Sequence, residues 1–356
     1  MIFEWTESEL HTGVDFYSSD EGVECLSHFS GEWDSPFLII DAKVRRLWDE
    51  QLQPLILEAS GLHVMEAEEQ LKNTFTLTQV LESMAGSGII RHTPVVIIGG
   101  GLVCDIGAMA ASIYMRGLEF MLIPTTLLSM VDACLGGKTG VNMSGAKNQV
   151  GTFAPARRVR IFPDFLDTLP QSEMRSGLAE VIKTALIGDD TITGDLKDFS
   201  IDDPNGGLVA QIVKKCLRVK GDAVAGDLRD RGGRMVLNLG HTVGHALESG
   251  SDYRLTHGEA VGLGMIAEAA LAVKLGGNRN LPGEIRMLLE SFGLPTSLED
   301  HIPGDRVLEL LLKDKKSRRE GRMWALPFDW RDCRLTELTH EEERNILPGI
   351  LKLLKV

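Results

Sequence analysis

No apolar stretch in the chain approaches the roughly 18 to 20 residues that a membrane-crossing helix needs. The first ten residues, Met1 to Leu10, carry acids and no basic stretch ahead of an apolar one. A membrane span and a secretory leader are therefore not expected, and the expected compartment is the cytoplasm. Positive charge is also scarce: 37 Lys and Arg face 51 Asp and Glu, a formal net charge of -14. Phosphate backbones and anionic bilayers select basic faces, so nucleic acid and membrane surfaces are excluded as expected partners. A small anion is not, because a pocket can be basic inside an acidic protein. The five cysteines, Cys25, Cys104, Cys134, Cys216 and Cys333, are odd in number and scattered, without a C-x-x-C pair. That argues against a disulfide framework and a thiolate zinc site. Internal repeats, low-complexity tracts and long linkers are absent too.

What the chain does have is length and ordinary globular composition: 356 residues, 43% hydrophobic and 25% charged, enough for two domains with their own cores. Its first half alternates. Pro36 to Asp41 reads as a strand followed by a helical pattern from Ala42 to Ala59, and Leu71 to Met84 is helical again. Val95 to Ile98 runs into Gly99-Gly100-Gly101 and a small-residue helix around Ala108 to Tyr114. Phe120 to Ile123 and Val159 to Phe162 are further strands. This alternation predicts a doubly wound α/β domain with a mostly parallel sheet, residues 1–168. From about Pro170 helical periodicity takes over, at Gln171 to Ile187, Gly207 to Ala225, His241 to Ser249, Gly258 to Leu275, Gly283 to Phe292 and Arg306 to Lys315. A short β-like piece, Arg322 to Pro327, interrupts it. The expectation for 169–356 is a second, mainly helical domain.

Three of the nine histidines fall in one stretch, His241, His245 and His257. His241 and His245 are four apart and share a helix face. Imidazoles at that spacing suit zinc, cobalt or iron, with hydrogen-bonded core histidines as the alternative. The position that a H-E-x-x-H protease fills with glutamate is Thr242 here, which removes that reading. The third ligand best supplied by the sequence is Glu180, an acid in an otherwise apolar helix, with Lys183 three residues on and on the same face; a surface ion pair is the alternative. Gly99 to Gly101 after an apolar strand fits either a phosphate cradle at a helix N-terminus or a tight structural turn. Asp105 in the following turn could cap that helix or contact a cofactor. The glycine-rich segment from Thr125 to Asn148 brings Asp132, Lys138, Lys147 and Asn148 into one loop region, suited to a phosphate or carboxylate, or simply solvated. Gly136-Gly137-Lys138-Thr139 has the end of a P-loop, but residue 132, where its first glycine belongs, is aspartate.

These motifs occur in an order that resembles the 3-dehydroquinate synthase family. The resemblance runs from about Val95 to Pro327, through Gly99–Asp105, Arg116-Gly117, Pro124–Leu128, Val131-Asp132, Gly136–Asn142, Lys147-Asn148, Gly177–Lys183, Asn238–Glu248, His257–Val261 and Asp314–Lys316. It implies a Rossmann-like α/β N-terminal domain that binds NAD and an all-α C-terminal domain that binds a divalent metal, zinc first and cobalt as an alternative. By the same resemblance Glu180, His241 and His257 are the metal ligands. His245 then leaves the ligand pair suggested by spacing and becomes a substrate-site histidine. Arg116, Asp132, Lys138, Asn148, Lys183, Lys220, Arg234, Asn238, His245 and Lys316 are implied as substrate contacts, Arg116 reaching across a homodimer interface. Glu69, Lys72, Gly100, Gly101, Leu102, Asp105, Thr125, Thr126, Lys138, Lys147, Phe165 and Thr168 are implied to contact NAD. The implied activity converts an anionic sugar-acid phosphate, 3-deoxy-D-arabino-heptulosonate 7-phosphate, to 3-dehydroquinate and phosphate by transient oxidation, elimination and aldol closure. Sister sugar-phosphate cyclases, making a valiolone, a deoxy-inosose or an amino-quinate, and a polyol dehydrogenase of related fold are the competing readings. The chain departs from the family in its first 35 residues, at Lys43, at Cys134, and at Asp230, which stands for a longer acid.

Overall fold

A computed structural model describes the chain except residues 1–5, 8–9, 18–21, 23–25, 27–32, 145, 253, 299–303, 314–320 and 355–356. Lys316 lies outside the described residues. The described chain divides into two compact units, residues 1–170 with 204–229, and 171–203 with 230–356.

The first unit begins with β1 (Thr6–Glu7) and β2 (Leu10–His11), a small antiparallel pair, and β3 (Gly13–Phe16). There follow β4 (Phe37–Asp41), α1 (Ala42–Leu47), α2 (Asp49–Glu58), β5 (Gly61–Met65) and α3 (Thr74–Gly86). Next come β6 (Val95–Gly99), α4 (Gly101–Ile113), β7 (Phe120–Pro124), β8 (Val141–Met143), β9 (Ala146–Val150) and β10 (Arg158–Ile161). Six strands make one sheet in the order β3-β10-β7-β6-β4-β5, and every neighbouring pair is parallel. Strands β4, β6 and β7 are buried along their whole length. A parallel sheet covered on both faces requires this, so these strands read as unbroken apolar runs rather than alternating ones. The helix expected over 42–59 breaks at Trp48, which leaves helical geometry (φ -122°, ψ 31°). Its indole N–H donates to Thr168 Oγ1 at 2.9 Å, and its ring meets Phe165 at 5.1 Å.

One helix of the second half belongs with the first unit. In α7 (Gly206–Val224) the residues Val209, Ile212, Val213, Cys216 and Leu217 are buried on one face. Lys220 of the same helix donates to the Asp132 carbonyl at 2.5 Å and pairs with its carboxylate. The periodicity of 207–225 gave the helix but not the unit it packs on.

The second unit holds α5 (Gln171–Ile187), α6 (Ile192–Lys197), α8 (His241–Gly250), α9 (His257–Lys274), α10 (Leu281–Ser291), α11 (Gly304–Lys313) and α12 (His340–Leu353). It is helical but not purely so, because β11 (Gly321–Asp329) and β12 (Asp332–Thr339) form an antiparallel hairpin. No helix among the described residues is long and apolar enough to cross a membrane.

Helix α9 is the axis of this unit, buried from Gly258 to Ala272 apart from Glu259. Its contacts are made by glycine. A Cβ at Gly264 would overlap the Gly240 carbonyl oxygen, and one at Gly258 would overlap the Ser176 backbone. These residues let α8 and α5 approach α9 at backbone distance, which sets the spacing of every side chain that projects into the space between them. Gly264→Ala is expected to lose about 3 kcal/mol of stability, because backbone cannot move aside as a side chain can. Gly283→Ala, where a Cβ meets nothing within 4 Å, should stay within about 1 kcal/mol of the parent. Urea unfolding of both variants checks the contrast.

Candidate functional site

In the second unit, α5, α8 and α9 each contribute one residue to a cluster. Glu180 lies in mid-α5 and is 1% exposed, in a helix whose residues from Ser176 to Leu186 are all buried. Its Oε1 stands 3.6 Å from His241 Nε2 and 3.3 Å from His257 Nε2. Each imidazole opens its helix: His241 is the first residue of α8, and His257 the first of α9. The α9 start is fixed by a capping box, Thr256 accepting from the Glu259 N–H while Glu259 accepts from the Thr256 N–H. One nitrogen or oxygen from each of Glu180, His241 and His257 lies within 4.8 Å of the others.

The charges around this cluster are consistent with a cation. Lys183, 2% exposed and one turn from Glu180, pairs with its carboxylate. Burial, aided by the Lys183 ammonium and opposed by Glu180, holds His241 down at about 3, so its imidazole is neutral. Burial also pulls His257 down, but the Glu180 and Glu248 carboxylates outweigh it and raise His257 to about 9. A proton on His257 therefore supplies positive charge that the buried carboxylates require. Two imidazoles and one carboxylate at this spacing could hold one metal ion, and the same donor types occur in three-ligand catalytic zinc sites. His245 is exposed and falls in a second grouping with Glu248 and His257.

Asn238, His241, Thr242 and His245 line a cavity of about 560 Å³. Leu310, Leu311, Arg322 and His340 also line it. That volume suits a small ligand. Arg234 is 1% exposed, in the short helical segment Gly233–Asn238 that leads to α8. The sequence reading did not single out Arg322 or His340. Both meet the fully buried Glu343 carboxylate, at 3.4 and 3.3 Å. Glu248 and Glu268 were also passed over, and both are buried near the histidines.

The first unit holds a second set. Gly100 and Gly101 form the turn from β6 into α4, whose first turn has no side-chain cap, so its backbone N–H groups are aimed outward at the strand end. Gly100 packs close to Thr126, where a Cβ would meet Cγ2 at 3.0 Å. The Thr125 N–H donates to the Gly99 carbonyl, and Thr126 is locked to Ser129 by reciprocal hydrogen bonds. Leu102 and Asp105 lie on the first turns of α4. Lys72, 7% exposed, donates to Asp105 Oδ2 and to Asn148 Oδ1, both at 2.6 Å. Burial raises Asp105 above the usual carboxylate range, with Lys72 opposing. Glu69 accepts from Asn142 at 2.8 Å and lies 4.0 Å from Lys147. Asp132 pairs with Lys220, and Lys138 is exposed beside a backbone bridge to Phe153. Phe165 and Thr168 are met by Trp48, as described above. Arg116 stands apart and exposed in a turn where Met115, Arg116 and Gly117 all have positive φ.

Two family models cover this chain. The model for the N-terminal part of 3-dehydroquinate synthase matches residues 62–176, and that for the C-terminal part matches 177–317. The chain belongs to the 3-dehydroquinate synthase family. A 3-dehydroquinate synthase of Alkaliphilus metalliredigens is 36% identical over 323 residues, 88% of this chain and 89% of the relative. One of Clostridium acetobutylicum is 33% identical over 347 residues, 94% and 97% of the two chains. Among solved structures, 2-deoxy-scyllo-inosose synthase with carbaglucose-6-phosphate, NAD+ and Co2+ superposes with a TM-score of 0.87 at 22% identity, covering 99% of both chains. The 2-epi-5-epi-valiolone synthase of Streptomyces hygroscopicus with NAD+ and Zn2+ gives 0.86 at 28% identity, covering 98% of this chain and 99% of that one. An iron-containing alcohol dehydrogenase shares the fold at 0.67 and 14% identity.

The Lys72 contacts make a direct test of the first set. Lys72→Met removes the cation facing a half-buried carboxylate and is expected to cost about 2 kcal/mol. Lys72→Met combined with Asp105→Asn should recover part of that loss. Urea unfolding of the single and double variants measures it.

Proposed function

We propose that the chain is a 3-dehydroquinate synthase, converting 3-deoxy-D-arabino-heptulosonate 7-phosphate to 3-dehydroquinate and phosphate with no net redox change. The observation that carries the reading is the convergence of Glu180, His241 and His257 in a member of this family. The proposed cofactors are NAD and a divalent metal, zinc first and cobalt as its substitute. When bound, NAD accepts and returns a hydride, and the metal polarises substrate oxygens as a Lewis acid.

The chain's own residues would act as follows. Glu180, neutral His241 and His257, once it has lost its proton, hold the metal. Lys183, paired with Glu180, would place positive charge next to that centre and favour negative charge developing on the substrate there. His245, exposed at the cavity wall, is placed to carry a proton, and Asn238 and buried Arg234 orient anionic and hydroxyl groups. Gly100, Gly101 and the uncapped start of α4 receive a pyrophosphate, with Leu102, Asp105, Thr125 and Thr126 about it. Glu69, Lys72, Lys147, Phe165 and Thr168 complete the proposed NAD contacts. Lys138, Asn148 and Lys220 supply further contacts to the substrate's phosphate and carboxylate, and Asp132 and Lys316 are proposed as substrate contacts. Arg116 is proposed to act across a homodimer interface. The proposed division of the chain, 1–168 for NAD and 169–356 for metal and substrate, is qualified by α7, which brings Lys220 to the first unit.

The substrate is tested by phosphate release. With catalytic NAD+ and zinc, 3-deoxy-D-arabino-heptulosonate 7-phosphate should yield phosphate and dehydroquinate, identified by mass, without lasting absorbance at 340 nm. Release from sedoheptulose 7-phosphate or glucose 6-phosphate instead would make the chain a sister cyclase. Stoichiometric NADH accumulation would make it a dehydrogenase. Glu180→Ala is expected to weaken metal binding by more than about 100-fold, beyond what loss of an outer contact does, as read by titration of chelator-stripped protein.

A further inference from the structure

Two acidic side chains that are not among the proposed ligands lie buried between α8 and α9. Glu248 of α8 is 4% exposed, and its Oε1 stands 3.7 Å from Nδ1 of His257, the ring nitrogen turned away from Glu180. Glu268 of α9 is 1% exposed and reaches the opposite way. Its Oε2 accepts the Gly240 N–H at 2.5 Å, and its Oε1 accepts the Val243 N–H at 3.1 Å. Gly240 is the N-cap of α8 and offers no side chain to cap it. Glu268 therefore takes up backbone donors that the helix start leaves over, on either side of His241.

We propose that Glu248 and Glu268 are positioning residues that form a reciprocal brace: the carboxylate on α8 holds the His257 ring of α9, and the carboxylate on α9 holds the backbone from which His241 projects. The inference rests on the metal reading above and extends it. An imidazole that binds a metal through one nitrogen is oriented by an acceptor at the other, and a ligand on the first residue of a helix is only as fixed as that helix end. Each helix carries one of the two proposed histidine ligands and the acid that serves the other. The brace therefore couples the two imidazoles through short side chains rather than through the length of either helix. The approach of α8 to α9 at Gly264 brings Glu268 within reach of the α8 backbone.

The test uses full-length, chelator-stripped protein and Co2+ alone, followed by its visible d–d absorption. Glu248→Ala is expected to raise the Co2+ dissociation constant about 10- to 100-fold and to shift the band, with Glu248→Gln intermediate. Glu268→Ala should raise it by about 10-fold, with Glu268→Gln smaller in effect and serving if the alanine variant does not fold. Leu271→Ala, a buried truncation on α9, should lower stability and leave Co2+ affinity within twofold. Co2+ affinity within twofold of the parent in both glutamate variants overturns the brace. A metal-free readout separates this from failure of the metal reading. Glu268→Ala should speed exchange of the Gly240 and Val243 amides by more than 10-fold while α10 is unchanged, and Glu248→Gln should shift the 15N resonance of His257 Nδ1. If the parent binds no Co2+ yet these signals move, the brace stands and the metal reading falls. If they do not move, the brace falls.

Discussion

Burying a carboxylate to 1% exposure in the middle of an apolar helix is costly unless positive charge or hydrogen-bond donors stand beside it. Glu180 sets that demand, and its surroundings answer it. Lys183 lies one turn on, and the starts of two other helices present His241 and His257 to Glu180 Oε1 at 3.6 and 3.3 Å. His257, at about 9, holds a proton. His241, at about 3, does not. A divalent ion held by the three proposed ligands would replace that proton and meet the same demand.

Putting three helices' residues within reach of one ion requires the helices themselves to be close. Helix α9 is built from glycine and alanine where it meets α5 and α8, and at Gly258 and Gly264 even a methyl group would strike backbone. The same close approach lets Glu268 cap α8 and Glu248 face His257. The first unit solves a different problem with the same residue. There Gly100 brings the β6–α4 turn against Thr126, and the start of α4 has no side-chain cap.

Much of this was legible beforehand. The strands β4, β6 and β7 are unbroken apolar runs, and the glycines after β6 mark a strand–turn–helix. The spacing of His241, His245 and His257 and the lone acid at Glu180 drew attention to the right segments. Spacing alone paired His241 with His245, whereas the structure groups Glu180 with His241 and His257. Which histidine joins Glu180 depends on how α9 packs, which one helix's periodicity does not contain. Strand β5 was missed because it lies at a sheet edge and only Met65 in it is buried. The hairpin β11–β12 reads in the sequence only as one short piece, because every residue of β12 except Leu338 is half-exposed or exposed. Helix α7 was found, but its face gives no clue to which unit it covers. Glu268 could have been found by the argument that found Glu180, since it too is an acid in an apolar helix, between Ala267 and Ala269. Glu248, three residues after His245, carried a weaker signal.

The proposed metal site is one ion bound by Glu180, His241 and His257. X-ray absorption at the zinc edge of the stoichiometrically loaded protein tests it most directly. The expected spectrum has one zinc per chain with two imidazoles and one carboxylate, and the imidazole scattering falls by half in His257→Ala. A site with three imidazoles or sulfur ligands, or a spectrum unchanged by His257→Ala, would contradict it.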